Sequence, residues 1–266
     1  MRKTLAIATT CVLLAGPAVA QEAAGLSSWN GPYAGLVLGM SAGTSTATTT
    51  IGCVDGAYLC DQGLHGGHQA NGVLIGDMGS GTAQGEGPIG GVVAGYDWHN
   101  GTIVTGFVAD ASALTLAVTN GGTAASINPG LAGSVFTVSA TASTDWLATL
   151  RGRAGLIVSP DLLLYVTGGV AITELTVSND YLDTQNEGGR GSSSTSSLIG
   201  GYAFGGGAEW EIEEGWRLTA EYLFVDFGSL TTNASIAING AAVPNPFSSE
   251  ADLSAHLFKM GLSRGF

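Results

Sequence analysis

The sequence predicts an all-β fold, a transmembrane antiparallel up-and-down β-barrel of eight strands, and three observations predict it. The chain opens like an exported protein. It is too apolar and too poorly charged to face water alone. Its later residues alternate with period two, between connections that are short and long in turn.

Export comes first along the chain. Arg2 and Lys3 precede a short apolar stretch at 5–15, and Ala18-Val19-Ala20 gives the small-x-small pattern that a signal peptidase cuts. The stretch is too short to cross a bilayer as a helix. Cys11 lies inside it rather than at a cleavage point, which argues against a lipoprotein anchor. The expected organisation is a signal peptide at 1–20 and a barrel domain at 21–266 with four long extracellular loops.

Composition narrows the class. Hydrophobic residues make up 45%, charged residues 11%, and the mean hydropathy is +0.30. A soluble domain carries about 25% charged residues. The expected signal holds two of the eight basic residues and no acidic one, so the remainder carries 6 basic and 21 acidic groups, a net charge of −15. That excludes nucleic acid as a partner, which needs a basic footprint. No later run approaches eighteen apolar residues, the length of a membrane helix. The spanning solution left is a closed barrel, because backbone groups in lipid must pair internally.

The elements follow from the alternation. Strand one covers 32–42, with Ala34, Leu36, Leu38 and Met40 outward. Strand two covers 89–98 and ends in the turn His99-Asn100-Gly101, where Asn-Gly readily takes positive φ. Strand three begins at Thr102, with Ile103 and Phe107 outward. Strand four covers 145–158, and Ser159-Pro160-Asp161 turns the chain into strand five at 162–175. Strand six covers 198–212 and turns at Glu213-Glu214-Gly215. Strand seven covers 216–227 and strand eight 255–266. Connections after strands two, four and six are short; those after one, three, five and seven are long and rich in Gly, Ser, Thr, Asn and Asp. Short periplasmic turns and long extracellular loops are the barrel pattern. The alternation continues at 114–118 and 135–140, which predicts a β-rim on eight strands, with an added hairpin making ten as the alternative.

The tryptophans check the orientation. Trp29 and Trp216 precede or begin odd strands, and Trp98 and Trp210 end even ones, so all four fall at the periplasmic rim of such a barrel. They are expected to form an interfacial aromatic girdle. Trp146 falls at the opposite rim.

Several segments resemble a known family. Trp29-Asn30-Gly31-Pro32-Tyr33-Ala34-Gly35 resembles the opening strand of the small outer-membrane β-barrel family that includes bacterial immunogenic surface proteins and haemin-binding proteins. Val93-Ala94-Gly95-Tyr96-Asp97-Trp98, the segment from Asp145 to Arg153, Tyr165-Val166-Thr167-Gly168-Gly169 and the segment from Ala220 to Asp226 resemble its second, fourth, fifth and seventh strands. The resemblance covers the wall and not the loops. It implies the cell outer membrane, a structural or surface role with porin-like character, and contact with lipid, lipopolysaccharide and the barrel-insertion machinery. Such chains end in alternating apolar residues and an aromatic. Phe258, Met260, Leu262 and Phe266 fit that insertion signal, whereas Arg264 stands where the family has an aromatic.

The register places Asp97, Asp110, Arg151, Arg153, Glu209, Arg217, Glu221 and Lys259 inside. Charge in a narrow bore must pair, since an unpaired buried ion costs several kcal/mol. An eight-stranded barrel is only wide enough for its own side chains, so a salt-bridge network is expected rather than an ion path. Inward glycines (Gly35, Gly39, Gly95, Gly205, Gly207) are expected to leave room for the long charged side chains. In the first long loop, Cys53 and Cys60 are expected to form a disulfide in the oxidising periplasm, worth roughly 2–3 kcal/mol to that loop. Two cysteines are too few ligands for a metal site. His65 and His68 in the same loop are candidate haemin ligands, on the resemblance to haemin binders; solvated loop histidines are the other reading. No cofactor is expected. Gly-x-Ser-x-Gly occurs at 39–43 and 261–265, but along strands one and eight rather than at a strand-to-helix elbow, and phosphate-loop and His-Glu-x-x-His motifs are absent, so no enzyme is expected; an Asp/His pair at the outer rim is the one arrangement that would reopen catalysis.

Overall fold

The structure, a computed structural model, describes residues 29–52, 69–125, 133–184, 188–238 and 241–266. The expected signal peptide, the Cys53–Cys60 disulfide and the His65/His68 pair lie outside them. The strands are β1 (Gly31–Ile51), β2 (Gly81–Asn100), β3 (Ile103–Ala125), β4 (Val135–Ser159), β5 (Leu162–Asp183), β6 (Arg190–Glu213), β7 (Trp216–Ile238) and β8 (Ala241–Gly265). Each pairs antiparallel with the next, and β1 pairs with β8 to close the ring. The three tight turns lie where the sequence puts them; Gly101 (φ +65°) and Gly215 (φ +76°) supply the left-handed residue in two of them.

The strands are longer than a membrane requires. They run 20 to 25 residues, against about 9–11 for a span. They also outrun the spans expected from the sequence: β1 continues from 42 to Ile51, and β8 begins at Ala241 rather than at 255. Residues 114–118 and 135–140 simply continue β3 and β4, in one ring of eight. Much of what reads as long Ser/Thr-rich loop is strand. Thr and its neighbours suit an extended wall when every second residue is buried.

The wall inverts along its length. Toward the short turns, the outward side chains are apolar, such as Leu36, Leu38, Val166 and Met260, and the inward ones are charged. Toward the other end the outward positions carry hydroxyls. Neighbouring strands join them across the face in Thr46–Thr82, Thr119–Thr141, Thr123–Thr137, Thr176–Ser196 and Ser178–Ser194, at 2.8–3.2 Å. Here the interior is apolar: Leu116, Val118, Leu175, Val177, Phe227 and Leu253 form one cluster, and Phe136, Tyr181, Ile236 and Phe247 another above it.

The closed ladder also changes. β2 and β3 pair only as far as Ile89↔Leu114. β6 and β7 pair up to Tyr202↔Asp226 and meet again only at Arg190↔Ala237. The two interrupted seams lie four strands apart, on opposite sides of the ring. Between them β3–β6 and β7–β8–β1–β2 stay paired apart from local bulges, as two four-stranded sheets facing across the apolar clusters. This is sandwich packing grown from a barrel. Bulges begin the change at 113–116 in β3 and 226–229 in β7, where Gly228 takes φ +73° and lets β7 bend. Across the β6–β7 seam, hydroxyls replace the ladder: Thr195 and Ser193 reach Thr232 at 2.8 and 3.2 Å.

A short helix closes the extracellular end. In α1 (Gln69–Met78), Ile75 is fully buried, and both Ile75 and Met78 pack on the upper apolar cluster. Its C-terminus is tied to β1: Thr49 Oγ1 donates to the Gly79 carbonyl, and the Thr49 backbone N–H donates to Ser80 Oγ.

Candidate functional site

All eight charges read as inward come together in the bore, as two stacked groups of two cations and two carboxylates. The first group lies toward the short turns. Arg153 grips Glu209 through two bonds, Nη1–Oε1 at 2.6 Å and Nη2–Oε2 at 3.0 Å, and its Nη2 donates to Asp97 at 3.1 Å. Arg217 approaches the same Asp97 at 3.4 Å and Glu209 at 3.8 Å. The guanidinium of Arg153 lies between the rings of Tyr165 and Tyr33, 4.7 and 5.2 Å from their centres. In the second group Arg151 bridges Asp110 at 2.7 Å and Glu221 at 2.9 Å. Lys259 meets Glu221 at 3.0 Å and Asp110 at 3.4 Å. Thr149 and Tyr165 donate to the two carboxylates.

Each group is neutral, which is the arrangement burial demands. Alternation on β2, β3, β4, β6, β7 and β8 delivers one or two members from each strand. Small residues make the space, and two of the expected glycines do so beside tyrosines rather than beside the long charged side chains. A Cβ on Gly95 would lie 2.4 Å from the Tyr33 hydroxyl, and one on Gly207 2.8 Å from that of Tyr165. These two glycines clear the tyrosines that sandwich Arg153. Gly35, Gly39 and Gly205 instead face the backbone of the adjoining strand. Tyr33, Tyr165 and Thr149 are the partners that sequence reasoning missed. Their inward position in the alternation was the available signal.

Little free volume remains. A cavity of about 30 Å³ lies between the groups, lined by Tyr33, Tyr165, Thr219 and Ser263, which is room for one water. Above the second group the side chains of Leu147, Leu223 and Leu257, all fully buried, fill the bore.

The girdle needs one correction. Trp98 and Trp210 are exposed on the outer face, Trp216 is half-buried, and Trp146 is exposed near the opposite boundary. Trp29 is not part of the belt. It is 2% exposed and turns inward, where it packs with Val104 and Leu163, donates to the Pro160 carbonyl and covers Arg217 at 4.8 Å. The chain enters β1 at Gly31 (φ +108°), and Trp29 lies just before that bend, beneath the bore. A cation–π contact on a desolvated guanidinium is worth about 2 kcal/mol. Trp210 donates to Asp161 in the turn, at 2.9 Å; bonds from Ser159 and Trp210 hold that carboxyl below its ordinary range. Phe258, Met260, Leu262 and Phe266 all face outward, and Arg264 lies over the Trp216 ring at 5.5 Å. His256, on the outer face, bonds to Tyr222 at 2.7 Å rather than to a carboxylate.

A closed eight-stranded ring with a lipid-facing apolar belt and a neutral, salt-bridged interior defines a small integral barrel of the outer membrane. The chain belongs to the outer membrane protein beta-barrel domain family, whose model matches residues 10–266. It is 30% identical over 182 residues to the 31 kDa outer-membrane immunogenic proteins of Brucella melitensis and Brucella suis; the match covers 67% of this chain and 66% of each relative. Among solved structures it is similar to OprG of Pseudomonas aeruginosa (TM-score 0.46, 14% identity, 89% of this chain and 96% of that one) and to the protease OmpT of Escherichia coli (TM-score 0.45, 10% identity, 92% and 99%). Likeness at that level carries no activity across. The protein resides in the cell outer membrane and has a surface role, in a family made mainly of non-enzymatic barrels.

Proposed function

We propose that the protein is a plugged, non-enzymatic surface barrel that strengthens the outer membrane and does not conduct. The filled bore carries this reading: two neutral charge groups, a one-water cavity and an apolar plug above them. Planar-bilayer recording on the purified full chain tests it. Silence at concentrations where a porin conducts is the expected result, and stable unitary steps would overturn it.

Two contacts belong to the same reading. Glu86, Glu174, Asp226 and Asp252 point outward or lie half-exposed where the apolar belt gives way to hydroxyls. At that height lipopolysaccharide phosphates meet carboxylates, so contact runs through divalent cations. EDTA should then lower the unfolding temperature in lipopolysaccharide bilayers and leave it unchanged in phosphatidylcholine. The outward row Phe258, Met260, Leu262 and Phe266 is the surface offered to the insertion machinery; Phe266→Ala should slow assembly without altering the folded barrel's heat resistance.

A further inference from the structure

One basic residue serves the whole extracellular half. Beyond residue 20 the sequence holds six. Arg151, Arg153, Arg217 and Lys259 are buried in the two charge groups, and Arg264 lies beside Trp216 at the periplasmic rim. The sixth, Arg190, is exposed at the start of β6 and makes no ion pair among the described residues.

Arg190 lies at the end of a groove. The outer wall dips where β6 and β7 come together again after their open seam, at Arg190↔Ala237. The groove has a volume of about 590 Å³, within the range of small-molecule sites. Cross-strand register arranges its lining in rows. Ser139, Asp180 and Ser192 are partners across β4, β5 and β6, and Ser235 of β7 extends that row. Leu182 and Arg190 are partners in the next row.

The chemistry of these side chains is selective. Serine hydroxyls donate and accept, and Asp180 accepts from paired hydroxyls. Leu182, 45% exposed, offers an apolar contact for a flat C–H face. Arg190 can hold one carboxylate or phosphate through two parallel bonds. A purely apolar ligand would leave the hydroxyls and both charges unmatched. We propose that this groove binds an acidic saccharide, its ring hydroxyls between Asp180 and the serines and its anionic group on Arg190. The ligand's source is either the lipopolysaccharide core of the same membrane or a uronate-bearing glycan outside the cell.

The test is calorimetric titration of the full-length barrel in nanodiscs, at low salt, with three probes: oligogalacturonate, deacylated lipopolysaccharide core and neutral maltohexaose. At least one acidic probe should bind, at least tenfold more tightly than maltohexaose. Arg190→Gln should weaken that binding tenfold or more, and Asp180→Asn should weaken it too. Both are exposed wall positions, so the gel shift on heating should stay as in the parent chain and vouch for the fold. Binding of the core alone assigns the ligand to the same membrane; binding of oligogalacturonate alone assigns it to an outside glycan. Failure of both acidic probes, or equal binding by Arg190→Gln, would overturn the proposal. Neither arm depends on whether the barrel conducts.

Discussion

The membrane half and the extracellular half of this wall use one alternation with opposite sign. Below, Leu38 faces lipid while Arg151 and Lys259 face the bore. Above, Thr119 and Thr176 face water while Val118 and Val177 pack inside. The backbone fixes the period at two in both halves. What lies outside decides which face is apolar. Lipid below takes apolar side chains, and the charges go inward, where they can pair. Water above reverses the choice, and the bore becomes an ordinary core. The open seams fit the same contrast. In lipid every backbone group must be paired, so the ring closes; in water two seams can part and the ring relaxes into facing sheets.

Substitutions can break or sharpen this contrast. The largest effect is expected from Arg151→Ala, which leaves Asp110 and Glu221 with Lys259 alone. Removing one member of a buried charge group costs about 3–5 kcal/mol. The folded band on a urea–gel titration should be lost at clearly lower denaturant, and an unchanged midpoint would mean that the charges do not hold the lower half. Leu116→Ala in the upper core should cost about 2–5 kcal/mol. Its signature is regional: amide exchange should rise in the extracellular parts of β3 and β4, with the membrane parts protected. Uniform exchange would dissolve the division into two halves.

A third comparison uses one substituent at two heights. Leu38→Arg on the lipid face should cost about 2–4 kcal/mol by the depth rule for barrels. Thr46→Arg, on the same strand and the same face, should stay within about 0.5 kcal/mol, as for an exposed site. The smallest effect is that of Thr119→Val, which removes one hydroxyl of the pair with Thr141. A loss of at most about 0.5 kcal/mol in urea titration is expected, within the range of a cross-strand pair.

The sequence was most legible where the contrast between faces is strongest. In the membrane half, apolar and charged residues alternate, so the strand order, the tight turns and all eight interior charges could be read directly. In the extracellular half, Ser, Thr and Gly outside alternate with Ala, Val and Leu inside. That contrast is weak, and the composition is that of a loop. Leu116, Val118, Val138 and Ala140 carried the correct period, but the sign reverses near Ala42 and nothing local announces it. Trp29 failed for a different reason: its height was right, and its direction is set by a bend at Gly31 and a cation on β7. The two interrupted seams depend on bulges whose partners are distant in sequence. The groove at Arg190 depends in turn on one of those seams.

The inverted wall is tested most directly by an accessibility scan down one strand. Single cysteines at Leu36, Leu38, Met40, Thr44, Thr46 and Thr48, all on the outward face of β1, would be placed in a chain with Cys53 and Cys60 changed to serine. A membrane-impermeant maleimide on barrels in bilayers should label Thr44→Cys, Thr46→Cys and Thr48→Cys and spare the three deeper positions, with the change between residues 40 and 44. Protection that continues through Thr46 and Thr48, equal to that at Leu38, would contradict it.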